Sequence, residues 1–351
     1  MDYKYYIEDC YSINPDTLTL FKKVYIRNFQ DNTLSTPLEL THKRRKKQTH
    51  KKKVKNLENS SHSFKLSDNA YRTLKKKITW LYYLAKPKSV TTYTGKHIYN
   101  FKINFITLTL SSKQRHKTKD ITHLMLNQFL NEIRQRTGMV NYVWRLEFQK
   151  NGNVHYHIVT DCYLDYFFVR KIWNKIQANN GYIKPYTDKH ISLNFQDYYK
   201  LYHKEGKNTK DSLLKSYQAQ KSTSWTQPNS VDVKSVHNKR KISLYIAKYF
   251  GKDSKAHVFK NELDSDNSDA NMRLWFCSRG LSKLNNISGS ISELYQDLYS
   301  IVKSAKGLYT VYAKYASSFY YNIATIANVH KSFLNQFLQN YAYSLGYVNS
   351  S

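Results

Sequence analysis

Between Phe101 and Leu110 the chain reads Phe-Lys-Ile-Asn-Phe-Ile-Thr-Leu-Thr-Leu, an alternation of apolar and polar positions that predicts a half-buried β-strand. From about Asp120 the period lengthens. Leu124, Leu126, Phe129, Leu130 and Ile133 recur at helical spacing, and Gly138 is placed to stop that helix. Two more strands, Tyr142 to Gln149 and Val154 to Thr160, flank the hairpin signal Lys150-Asn-Gly-Asn153. A second amphipathic helix, Phe167 to Ile176, ends before Gly181, and residues 182–228 are polar and irregular enough to read as an insertion or long loops. Order returns with a short alternating strand, Val231 to Val236. A helix through Ile242, Leu244, Tyr245, Ala247, Lys248 and Tyr249 follows, ended by Gly251, and then a strand around Arg273 to Cys277.

In order these elements run βαββα, insertion, βαβ, which predicts the α+β class: an antiparallel sheet with helices packed on one face. Three regions follow from the pattern. Residues 1–97 form an N-terminal region without clear period over 1–40 but with a helix carrying Leu74, Ile78, Leu81 and Leu84. Residues 98–282 form the central domain. Residues 283–351 read as a helical, Tyr-rich C-terminal region.

Charge narrows the function. Lys and Arg number 56 against 25 Asp and Glu, a formal net charge of +31, and such an excess favours a polyanionic partner, nucleic acid first. No window approaches the roughly 18 consecutive apolar residues of a membrane span, and the start Met1-Asp2-Tyr3-Lys4 is unlike a signal peptide, so the expected location is the cytoplasm. The basic residues cluster. Lys43, Arg44, Arg45, Lys46 and Lys47, continued by Lys51 to Lys53, form an arm too charged for any core, read either as phosphate contacts, as a transport signal or as a solvated linker; Lys75, Lys76 and Lys77 form a second cluster. Cys10, Cys162 and Cys277 lack the spacing of a zinc knuckle or redox pair and read as reduced and structural.

The sharpest chemical signal is His155-Tyr156-His157, because residues two apart on a strand point to one face. If the preceding connection is a three-residue loop, Lys150-Asn151-Gly152 with Gly152 left-handed, then Glu147 faces His155 and Arg145 faces His157; a two-residue Asn-Gly turn puts Glu147 on the opposite face. Two imidazoles and a carboxylate suit a divalent metal such as Mg²⁺ or Mn²⁺, with Gln149 as a reserve ligand on the same face. The second signal is Tyr245-Ile-Ala-Lys248-Tyr249-Phe-Gly-Lys252. On a helix the two tyrosines share a face that Lys248 borders, and a phenol of ordinary pKa near 10 needs such neighbouring positive charge to act as a nucleophile.

Taken in order, Thr107-Leu-Thr-Leu110, the acid-preceded His-Tyr-His strand and the Tyr-x-x-Lys helix resemble the three motifs of the HUH endonucleases, and more closely the rolling-circle replication initiators of single-stranded DNA phages and plasmids. Val231-Asp-Val-Lys and Trp275-Phe-Cys-Ser-Arg-Gly-Leu281 are similar to that family as well. The likeness covers about residues 100–282 and leaves the 182–228 insertion unaligned. It implies a ferredoxin- or RRM-like HUH fold, a metal held by Glu147, His155 and His157, and attack by Tyr245 on single-stranded origin DNA. Lys248 then offsets phosphate charge and Tyr249 serves a second transfer. DNA contacts are expected from the basic clusters and Lys252, and exposed aromatics are expected to stack on unpaired bases. With no phosphate-loop motif in the chain, the resemblance implies a host helicase as well as a host polymerase. A transposase or relaxase of the same superfamily, or a non-catalytic nucleic-acid binder, is the alternative.

Overall fold

A computed structural model describes residues 5–27, 34–35, 66–236, 273–291, 309–313, 316–320 and 328–350. The chain divides into two compact units, Met1–Ser63 with Ser282–Tyr347, and Phe64–Leu281 with Val348–Ser351.

The first unit opens with a hairpin of β1 (Tyr5–Asn14) and β2 (Thr17–Arg27), to which the short β3 (Leu34–Ser35) pairs. Its turn is built by Asn14, whose Oδ1 accepts from the backbone N–H of Asp16 and of Thr17 at 3.1 Å each.

The second unit begins with α1 (Asp68–Leu84), capped where Ala70 N–H donates to Ser67 Oγ at 3.2 Å. The small hairpin of β4 (Lys88–Thr91) and β5 (His97–Phe101) leads into β6 (Ile103–Thr109). A continuous helix, α2, joins Thr118–Asp120, the π-helical Ile121–Leu126 and Asn127–Thr137, and ends on Gly138 at φ 66°. Then come β7 (Tyr142–Phe148), β8 (Val154–Thr160) and α3 (Tyr166–Asn179). The 182–228 stretch holds three helices, α4 (Ile183–His190), α5 (Phe195–Tyr202) and α6 (Lys210–Lys221), before β9 (Val231–Val236) and β10 (Trp275–Cys277).

The five strands of this unit lie in the order β10-β7-β8-β6-β9, and every neighbouring pair is antiparallel. One face of the sheet supplies Ile106, Leu108, Trp144, Leu146, Tyr156 and Ile158 to a core shared with Phe129 and Ile133 of α2 and Trp173 of α3. Helices therefore pack on the expected face. The other face carries the histidines, and α1 packs against β7, so β6 is buried along nearly its whole length rather than half-buried.

Two expectations are corrected. The 182–228 region is helical, because Tyr198, Leu213, Tyr217 and Trp225 form an aromatic core of their own and Asn194 and Thr209 cap α5 and α6. Residues after 283 are not helical throughout. β11 (Ile287–Ser290), β12 (Tyr309–Ala313) and β13 (Ala316–Tyr320) join the first unit's sheet in the order β11-β1-β2-β13-β12, and only α7 (Asn328–Ser344) continues as a long helix. Their Tyr- and Ser-rich composition suits a pleated surface as well as a helix.

Candidate functional site

Register decides whether the acid and the imidazoles meet. β7 and β8 pair Glu147 with His155, Leu146 with Tyr156 and Arg145 with His157. The connection is the three-residue loop, with Gly152 at φ 82° and Gly152 N–H donating to Gln149 O at 2.9 Å. Only a residue that tolerates positive φ closes this loop without strain, so Gly152 puts Glu147 on the histidine face.

On that face His157 Nε2 lies 3.1 Å from Glu147 Oε2, and the rings of His155 and His157 stand edge to face with centroids 4.6 Å apart. Arg145 Nη1 is 3.6 Å from Glu147 Oε1. From the next strand, Thr109 Oγ1 lies 3.0 Å from His155 Nδ1 and Thr107 Oγ1 lies 3.3 Å from His157 Nδ1. Gln149 Nε2 approaches His155 Nδ1 at 3.4 Å. Burial, assisted by His157, lowers the His155 pKa to about 3, so the ring is neutral and keeps a lone pair for a ligand.

Among the described residues no three His, Cys, Asp or Glu groups are gathered as a formed metal site. Donor type and spacing nevertheless fit a divalent cation. Two ligands at right angles around an octahedral ion, each at about 2.1 Å, stand about 3.0 Å apart, close to the 3.1 Å between Glu147 Oε2 and His157 Nε2. Glu147 Oε1 is buried without a hydrogen-bond partner among the described residues. Each threonine hydroxyl can accept from a protonated Nδ1, and this is the tautomer that leaves Nε2 free to ligate.

In the sequence Thr107 and Thr109 stand out only as part of a motif. Their role against the imidazoles follows from β6 lying beside β8, and the signal for it is the polar half of the β6 alternation. Asp232 pairs with Thr107 in register and lies 2.6 Å from Lys234.

Of the expected DNA contacts, Lys75 and Lys76 are exposed. Lys77 is buried at 4% exposure, its pKa lowered by burial, so it does not present its charge to a phosphate backbone. It follows Leu74 by three residues and so shares the packing face of α1. Lys43, Arg44, Arg45, Lys46, Lys47, Tyr245, Lys248, Tyr249 and Lys252 lie outside the described residues. Among the described residues, no helix is long and apolar enough to cross a membrane.

No curated protein and no solved structure matches the chain. Residues 103–254, from β6 through the Tyr245–Lys252 segment, match the family model of the ORF2-type replication-associated proteins, and this likeness supports a replication initiator.

Proposed function

We propose that this protein is a rolling-circle replication initiator that nicks and rejoins single-stranded origin DNA through a 5′-phosphotyrosine. The observation that carries the reading is the convergence of Glu147, His155 and His157 on one sheet face, inside the segment that resembles replication-associated proteins. Held by these three side chains, a divalent ion such as Mg²⁺ or Mn²⁺ supplies Lewis-acid polarisation of the scissile phosphate. Arg145 holds the Glu147 carboxylate by charge, while Thr107 and Thr109 fix the ring orientations. In the proposed step the Tyr245 phenolate oxygen bonds to phosphorus as the P–O3′ bond breaks, leaving a 3′-hydroxyl for a host polymerase. Lys248 offsets phosphate charge, Tyr249 serves a second transfer, and a host helicase opens the duplex.

The test incubates the full chain with a labelled single-stranded origin oligonucleotide and Mn²⁺. The expected product is a protein–DNA adduct that survives denaturation and is lost with EDTA, with Tyr245→Phe, and with His155→Ala or His157→Ala. DNA retention by the histidine variants is measured alongside. An adduct that persists in both EDTA and Tyr245→Phe rejects the mechanism; binding without any adduct leaves a non-catalytic nucleic-acid binder.

A further inference from the structure

The loop after β6 and the β7–β8 turn meet at the end of the sheet where His155 and Glu147 lie, since β6 and β7 both run antiparallel to β8. Residues 110–119 read Leu-Ser-Ser-Lys-Gln-Arg-His-Lys-Thr-Lys, with four Lys or Arg and no acid, and the turn adds Lys150. Lys113, Arg115, Lys119 and Lys150 are exposed.

The polar side chains between them are buried and fasten the two segments together. Asn153, 2% exposed, accepts from Gln114 N–H at 2.8 Å and donates through Nδ2 to Ser112 O at 2.8 Å. Gln114, 5% exposed, accepts from Val154 N–H at 2.9 Å and donates through Nε2 to His116 O at 3.0 Å. A third anchor comes from the helix side. Ser111 N–H and hydroxyl donate to Gln177 Oε1 at 2.7 and 2.9 Å, and His116 Nδ1 lies 2.9 Å from the Tyr182 hydroxyl. The Arg115 guanidinium sits 5.9 Å from the Tyr182 ring centroid.

A solvated loop needs none of these buried ties. Here the turn between Glu147 and His155 is bolted through Asn153 to a cationic loop, so the charges keep a fixed offset from the histidines. We infer that Lys113, Arg115, Lys119 and Lys150 form a phosphate-binding rim that carries the backbone of single-stranded DNA across the mouth of the site. This rests on the proposed function for its substrate class and relocates the DNA contact from the α1 cluster to the rim of the sheet.

Counterion release makes the rim measurable. Each phosphate contact on a single strand contributes about 0.7 to the slope of log affinity against log salt, so four contribute about 2.8. Between about 50 and about 200 mM salt that share amounts to an affinity loss of about 50-fold. The experiment titrates the full chain with a labelled oligothymidylate in EDTA, where no cleavage intervenes, across that salt range. The comparison is between wild type, the Lys113→Ala/Arg115→Ala/Lys119→Ala/Lys150→Ala variant, and a variant with Lys189, Lys200, Lys204 and Lys207, all exposed on the helical insertion, changed to Ala.

Both variants lose four charges. The expected result is a slope reduced by about 2.8 in the rim variant alone, with recovery in the charge-preserving Lys113→Arg/Arg115→Lys/Lys119→Arg/Lys150→Arg variant. Equal slope changes in the two alanine variants, which would reflect net charge only, or no change in the rim variant, overturn the rim while leaving the adduct test of function untouched. Rim-dependent binding with no phosphotyrosine adduct removes the proposed catalysis and keeps the rim.

Discussion

His155 and His157 occupy a row of side chains in which each ring has a threonine hydroxyl on one edge and open chemistry on the other. A hydroxyl both donates and accepts, so Thr107 tolerates the tautomer bonded to Glu147 and also the one that ligates a metal. Thr109→Val is predicted to weaken Mn²⁺ affinity about 10- to 100-fold, as loss of outer partners of metal-bound histidines does elsewhere. Thr109→Ser should restore it, and calorimetric Mn²⁺ titration reads both. Gly152→Ala is predicted to cost about 1–2 kcal/mol in urea denaturation, from the left-handed backbone alone, because nothing lies within 4 Å of the added Cβ. A larger loss would mean that the register itself had slipped. The histidine pair, the acid and the choice between two hairpin registers were all legible in the sequence, since strand period and turn chemistry are local. The threonine partners were not, because which strand neighbours β8 is a long-range fact.

At the scale of elements, the aromatic core of the insertion explains why polarity misled. Tyrosine scores as polar along the chain, yet Tyr198 and Tyr217 are buried to 8% exposure beneath Trp225 at 2%. Asn194 three residues before Asp197, and Thr209 three before Ser212, were readable caps that the polar composition masked. The same holds at Asn14-Pro-Asp-Thr17, a turn signal between two strands that showed no clean alternation. Within the insertion His190 is buried, with Nδ1 against Tyr186 O at 2.6 Å and Nε2 against the Tyr202 hydroxyl. Burial lowers its pKa. The unfolded chain, with an ordinary imidazole near 6.5, therefore binds the proton more readily than the folded one. His190 should thus cost stability as pH falls below that value, and not above it. Thermal melts monitored by tryptophan fluorescence should show an acid-side loss that is shallower in His190→Gln, after allowing for its lower stability at neutral pH. An unchanged acid slope would assign the loss to other groups.

For the whole molecule, the central sheet and its order of elements could be read in advance, whereas the composition of the first unit could not: its sheet joins strands from both ends of the chain. Pairing across such a separation leaves no periodic trace that links the two segments. The second unit also ends with distant sequence. Ser350 Oγ accepts from the N–H groups of Val140 and Asn141 at 2.9 and 3.1 Å, Asn141 Nδ2 donates to Val348 O at 2.7 Å, and Ser350 N–H donates to Asp161 Oδ2 at 3.2 Å. Removing residues 348–351 strips partners from buried groups, each costing about 1–3 kcal/mol when left unsatisfied. The truncated chain is predicted to melt several degrees lower, with the loss in the unit that carries Trp144 and Trp173. A melt unchanged in that unit would show that water replaces these bonds at no cost.

That final tether also sets how the chain answers to tension. Any partner dragging on the C-terminal end loads the few side-chain clasps at Asn141 and Asp161 before any strand ladder bears force. The central sheet would therefore lose its last stitch first, peeling one bond at a time rather than shearing as a block.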